Sequence, residues 1–415
     1  MIAKPSGAAA LELLPAMANR HGLITGATGT GKTILFSGFP YVFPELARYG
    51  VLILVHRDEL VFQAVEKFRF VNPHLRVGVE KAEYRADPAA EVVVASVQTV
   101  GQKNLKRFRR LMDHRPFGMA IVDECHHMTP GSQYDLVLNE LGLGSDMSDI
   151  RRSELPGGEQ RILIGVTATP NRNDKAGLNS FFNEIVVNYD VEWAVNQGYL
   201  TDIDHQIIET GTNLSGVKKR GGDFAVKELS EATNTQDRNN IIVSAYLKYV
   251  VDKSALAFCS SVEHAHALAA VFNAADVPAA AIDGTTDQAV RKATLEAHET
   301  GEIKVVTNFG VLTEGYDGRV HSVLMARPTK SQPLYIQMLG RGLRTIPSDL
   351  GNLETQAERL DAIASSVKPS CILLDFVDDG HDVITTPSLF GLNPKLNSEG
   401  RRMIRQVVEY VNEAI

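Results

Sequence analysis

The sequence predicts an α/β protein of two successive lobes, each a mostly parallel sheet covered by helices. Three observations carry the prediction. Short apolar runs of four to six residues, rich in Val, Ile and Leu and not alternating with polar residues, recur along the 415-residue chain, as strands buried on both faces do. Longer mixed stretches of helical character lie between them, the spacing that parallel strands with helical crossovers require. A Gly- and Lys/Arg-rich interruption, Ser215–Asp223 (SGVKKRGGD), then separates the runs into two sets.

The first set is Gly22–Thr25, Val51–Val55, Val92–Ser96, Met119–Val122 and Ile162–Thr167. The second is Ala255–Cys259, Ala279–Ile282, Lys304–Thr307, Ser322–Ala326 and Cys371–Phe376. Helices are expected over Asp58–Phe70, Asp237–Val251 and Val262–Phe272, and one more inside 345–368. Polar loops are expected at 144–160 and 215–223. These elements place a first lobe at 1–200, a connection at 201–240, and a second lobe with a short C-terminal tail at 241–415.

Composition narrows the function classes. Hydrophobic residues are 44% and charged residues 22% of the chain, the balance of an ordinary globular protein. No run approaches the roughly 18 apolar residues of a membrane span. The N-terminal apolar stretch is broken by Glu12 and Pro15, unlike a secretory leader, so a cytoplasmic location in a bacterial or phage-type host is expected. A net charge of -8 excludes a protein that coats nucleic acid by bulk electrostatics, but not one that grips phosphates in a local groove. Cys125, Cys259 and Cys371 form no C-x-x-C pair, which excludes a zinc ribbon. They are expected as small buried hydrophobes.

Chemistry enters at Gly26-Ala27-Thr28-Gly29-Thr30-Gly31-Lys32-Thr33, a complete G-x-x-x-x-G-K-[ST] between a strand and a helix. Gly26, Gly29 and Gly31 let the backbone, with Thr28 and Thr30, wrap the phosphates of ATP, and the following helix N-terminus adds positive potential. Lys32 neutralises the β- and γ-phosphates and Thr33 places its hydroxyl on Mg²⁺. The strand Met119–Val122 runs straight into Asp123-Glu124-Cys125-His126-His127. A carboxylate pair there suits metal binding by Asp123 and activation of water by Glu124. The adjacent histidines and cysteine do not suit a metal centre, because neighbouring residues rarely point to one ion.

With these two motifs in place, nearly the whole chain resembles the superfamily 2 helicases, DEAD/DEAH-box-like proteins built from two tandem RecA-like lobes. Asp123-Glu124-Cys125-His126 resembles their D-E-x-H box, Val55–Leu60 motif Ia, Ser96–Thr99 motif Ib and Thr167-Ala168-Thr169 motif III. Ala257–Ser261 resembles motif IV, Thr307 through Thr313–Asp317 motif V, and Gln337-Met338-Leu339-Gly340-Arg341-Gly342-Leu343-Arg344 motif VI. The DECHH box and the QMLGRGLR string are most similar to RadD-type, UvsW-type and mitochondrial branched-DNA helicases. Ile372–Phe376 and Thr386–Leu392 resemble the closing strand and tail of those proteins. One departure stands out: the adenine-reading Tyr-Gln pair usual upstream of the phosphate loop has no counterpart in residues 1–21.

The resemblance implies an ATP hydrolase that moves on nucleic acid, DNA above all, acting as a monomer away from membranes. It implies that Arg344 is the arginine finger, that Arg341 lies beside it on the phosphates, and that Gln337 approaches the water and His126. Gly315 and Asp317 are expected at the nucleotide, and Gly340 and Gly342 are expected to allow close approach to the cleft. Arg57, Thr99 and Thr307 are expected to grip the strand, with support from the basic run Lys103–Arg110 and from Lys218–Arg220. A duplex translocase, an RNA helicase and a P-loop protein that only switches a binding surface stay open. The complete set Lys32, Glu124 and Arg344 argues against the last. Glu263-His264-Ala265-His266 is expected at the surface, and Trp193 in a core.

Overall fold

The computed structural model describes residues 22–26, 32–56, 58–146, 153–168, 178–313, 316, 318–346, 350–379 and 383–389. The chain divides into two compact units, Met1–Asp190 and Val191–Ile415.

The first unit is built on seven strands: β1 (Gly22–Gly26), β2 (Val51–Val55), β3 (Val77–Glu80), β4 (Val92–Ser96), β5 (Met119–Asp123), β6 (Ile162–Thr167) and β7 (Glu184–Tyr189). They form one sheet of order β3-β4-β2-β5-β6-β1-β7, with every pairing parallel. Every residue of β2, β4, β5 and β6 is buried, because helices cover both faces. Alternate side chains serve the two layers. Leu52, Leu54, Ala120 and Val122 pack with Phe108 and Tyr134. Val51, Ile53, Val55 and Ile121 pack with Phe36 and Phe68 on the other side.

The second unit holds β8 (Asp202–Asn213), a small hairpin of β9 (Lys219–Arg220) and β10 (Asp223–Phe224), and then β11 (Ala255–Phe258), β12 (Ala279–Ile282), β13 (Val305–Asn308), β14 (Ser322–Met325) and β15 (Ser370–Asp379). The main sheet has the order β12-β13-β11-β14-β15-β8, again parallel throughout. The hairpin turns on Gly221 and Gly222, both at positive φ (60° and 86°), which glycine adopts without steric cost. The helix Gln236–Tyr249 is tied to this sheet by Arg238. Its guanidinium is buried, donates to both Asp378 carboxylate oxygens at 3.3 and 2.8 Å, and reaches Ala326 O at 3.1 Å.

Two boundaries differ from the sequence reading. The helix Val191–Asn196 falls in the second unit rather than the first. The stretch read as a connection supplies β8, the edge strand of the second sheet. β8 pairs only with β15 and is half exposed, so it needs no continuous apolar run. Among the described residues no helix is long and apolar enough to cross a membrane.

Candidate nucleotide site and nucleic-acid face

Parallel pairing brings the C-terminal ends of all first-unit strands to one edge, where ligands of open α/β sheets bind. β5, β6 and β1 are neighbours there. Asp123 is in register with Val166, and Val166 with Ile24. Asp123 therefore stands two strands, roughly 10 Å, from Ile24. The phosphate loop leaves β1 two residues beyond Ile24, at Gly26, and Lys32 opens the helix Lys32–Ser37 that follows. Thr33 is half-buried on that helix. A hydroxyl and a carboxylate are hard oxygen donors, and this pair suits Mg²⁺. Thr28, Gly29, Thr30, Gly31, Gly315 and Asp317 lie outside the described residues, as do Arg57 and Thr169.

Glu124 stands in the left-handed region, φ 48° and ψ 48°, which costs a non-glycine residue on the order of 1–2 kcal/mol. Strain of this kind gathers where function over-determines the backbone. The turn aims the strand-end carboxylate back along the box. Glu124 Oε2 is 3.4 Å from His126 Nδ1, and His126 Nδ1 lies 2.9 Å from Thr167 Oγ1. The D-E-x-H box and the Thr167 segment are thus joined by a direct contact. His127 stacks on His56 (centroids 4.0 Å) and meets His126 at a tilt (4.2 Å), carrying the contact to the residue before Arg57. Neither sequence spacing nor composition showed this ring stack. Among the described residues no group of three His, Cys, Asp or Glu is placed to hold a metal.

In the second unit the helix Gln332–Gly342 carries motif VI. Ser331 caps it by accepting from Leu334 N–H at 3.2 Å, and Gln337 and Arg341 are buried on it. Arg341 differs from expectation. Its guanidinium is 3% exposed and donates to Thr313 O at 3.1 and 2.7 Å and to Tyr316 O at 2.7 Å. It holds the motif V segment rather than presenting itself at a phosphate. Arg344 is half-buried and donates to Tyr316 O at 2.7 Å. Gly342 also differs: an added Cβ would meet Cys371 Sγ at 2.4 Å and Val323 Cγ2 at 2.6 Å. Its small size serves the seating of this helix on β14 and β15, not a cleft. Sequence reasoning missed Lys368. Its buried ammonium donates to Gly342 O at 2.5 Å and Arg344 O at 2.6 Å, fixing the backbone that carries Arg344, and burial pushes its pKa down to about 8. A single lysine before an apolar strand gives no sequence signal for that role.

Two expected nucleic-acid contacts are internal instead. Thr307 is fully buried and donates to Ala265 O at 2.8 Å, because β13 is covered on both faces. Thr99 is buried, and its hydroxyl accepts from Ala82 N–H at 3.1 Å. Within the basic run, Arg107 and Arg110 pair with the buried Glu80, and Arg109 with Glu140, leaving Lys103 and Lys106 exposed. Lys218, Lys219 and Arg220 are exposed at the hairpin. His264, expected at the surface, is fully buried with Ser260 Oγ at 2.8 Å and Asn239 Oδ1 at 3.1 Å. Trp193 is half-buried and stacks on Tyr199, with centroids 5.6 Å apart. All three cysteines are buried, as expected.

Residues 8–172 match the family described as the res subunit of type III restriction enzymes, and residues 226–345 match the helicase conserved C-terminal domain. The chain belongs to superfamily 2 of the helicases. Among superfamily 2 relatives, a Saccharomyces cerevisiae protein named as ATP-dependent helicase IRC3 is 29% identical over 88% of this chain and 50% of its own length. A Schizosaccharomyces pombe protein named as mitochondrial ATP-dependent helicase irc3 is 30% identical over 89% of this chain and 56% of its own. The chain thus spans about half the length of these curated relatives. S. cerevisiae Dbp5 bound to RNA and ADP BeF3 superposes with a TM-score of 0.51 at 17% identity, covering 87% of this chain and 80% of that one. The Pyrococcus furiosus Hef helicase domain gives 0.50 at 16%, covering 88% and 93%. These structures share the superfamily 2 fold, two parallel-sheet RecA-like lobes.

Proposed function

We propose that the chain is an ATP-driven nucleic-acid motor, a DNA helicase or branch-migration enzyme of the RadD, UvsW or mitochondrial branched-DNA type. The observation that carries the reading is the His126–Thr167 contact at 2.9 Å, which links the carboxylate box to a second motif on the edge where the phosphate loop ends. Lys32 and the loop hold the triphosphate, and Arg344, from the second lobe, compensates charge on the γ-phosphate. Thr33 and Asp123 would hold Mg²⁺, which would supply charge neutralisation at the triphosphate. Glu124 orients the attacking water and takes its proton. Lobe one, ending near residues 190–200, and lobe two close on ATP and part after hydrolysis, and that hinge motion drives movement along the strand. The chain acts as a monomer away from membranes.

A duplex translocase is the second reading, favoured by the match of the first half to a restriction-enzyme subunit. ATP turnover measured in parallel with single-stranded, duplex and forked DNA and with RNA, followed by strand displacement on the best stimulator, separates the two. A motor of the first kind is stimulated by single-stranded or forked DNA and displaces a strand, whereas a translocase is stimulated by duplex and displaces none. Slow turnover indifferent to all four would defeat both.

A further inference from the structure

β3 ends at Glu80, on the edge that also ends β2 and β4. The next residues double back, Lys81 N–H donating to Tyr84 O at 3.2 Å and Tyr84 N–H to Lys81 O at 2.7 Å. The loop is held from behind. Arg107 donates to Ala82 O at 2.5 Å and Tyr84 O at 2.6 Å while its Nε bonds Glu80 at 2.6 Å. Thr99, in the segment that resembles motif Ib, accepts from Ala82 N–H. Arg107, from the basic run expected to grip phosphates, is used to fix this loop, and Arg110 pairs with Glu80 at its start.

The fixed loop presents aromatic rings to solvent. Tyr84 is 46% exposed and meets Phe62, 39% exposed, edge to face with centroids 5.4 Å apart. Phe62 comes from a different element, the helix Asp58–Val71 that follows motif Ia. Lys81 Nζ stands 4.9 Å from the centre of the Phe62 ring, Arg85 is exposed and paired with Glu80, and Lys103 and Lys106 are exposed in the segment that leads into Arg107, which touches the loop. Glu83 is the exposed acid in the loop. The Glu80 carboxylate is buried against Arg107 and Arg110. A single exposed aromatic needs no explanation. Two rings from separate elements, beside a loop held by several hydrogen bonds to Arg107 and Thr99 and flanked by cations, make an amphipathic surface. Rings beside phosphate-attracting charge are how single strands are bound without sequence reading.

We propose that Phe62 and Tyr84 form a base-stacking platform for a single nucleic-acid strand, with the neighbouring lysines facing its phosphates. The inference rests on the motor reading and adds a contact that reads base faces rather than the backbone. The test uses the full chain and a single-stranded oligodeoxynucleotide carrying 2-aminopurine, with a matched series in which one position at a time is abasic. Wild-type protein should quench the 2-aminopurine. Phe62→Ala and Tyr84→Ala should each weaken binding roughly five- to hundredfold, with the slope of log Kd against log salt unchanged because no phosphate contact is lost. Tyr84→Phe should restore affinity. At one abasic position wild type should lose affinity and become indistinguishable from the alanine variants. The platform is refuted if the variants, melting as wild type does, bind the intact oligonucleotide as tightly. It is equally refuted if they weaken every abasic oligonucleotide as much as the intact one, or if they change only the sedimentation of the protein, which marks a protein contact. No binding of any oligonucleotide by wild type would instead defeat the motor reading itself.

Discussion

His264 is sealed in the second unit between Ser260 and Asn239, and burial pushes its pKa down to about 3 from an ordinary 6.5. Below pH 6.5 the unfolded chain therefore takes up a proton that the folded chain refuses. The stability His264 contributes is full above that pH and is lost as pH falls toward 3. Denaturant unfolding should show a loss of about 2 kcal/mol from this group between pH 6.5 and 5, and His264→Asn should flatten that stretch of the curve. An unchanged acid slope in the variant would reassign the effect. At Glu124 the left-handed backbone sets the direction in which the side chain leaves, so Glu124→Gln keeps the geometry and removes the proposed base. Fluorescent-nucleotide titration should find binding near wild type, while turnover drops roughly 10²–10⁴-fold. Retained turnover would remove Glu124 from the chemistry.

Among the elements, central strands were legible in the sequence and most edges were not. β2, β4, β5, β11, β13 and β14 are apolar on both faces and read as such. The missed strands β3, β7 and β8 lie at sheet edges, pair on one side, and carry polar residues that broke the apolar pattern. The strand and helix that flank the phosphate-loop motif, and the strand that ends in the DECH box, were legible because the chemistry constrains consecutive residues. Side-chain direction was not. Thr307 belongs to a strand with neighbours on both sides, and Arg341 faces the inner side of its helix. Gly342 carries a prediction of its own. A methyl group there has no room against Cys371 and Val323, so Gly342→Ala should lower stability by about 1–3 kcal/mol. Adding Cys371→Ala should recover part of the loss in a thermal melt. A melt unchanged by Gly342→Ala would show that the helix is not seated as described.

For the molecule as a motor, the claim is that groups carried by two separate sheets act on one triphosphate. Each unit has its own covered parallel sheet, and the contacts described bind each motif set within its unit: His126 to Thr167 in the first, Arg341 and Lys368 around motif VI in the second. On the proposed reading, a cation delivered from the second unit would make hydrolysis depend on lobe closure. The direct measurement is single-turnover ATP hydrolysis by Arg344→Ala with saturating single-stranded DNA. ATP and DNA affinities should stay within about threefold while hydrolysis slows roughly 10³–10⁵-fold. Hydrolysis at the wild-type rate would contradict that claim.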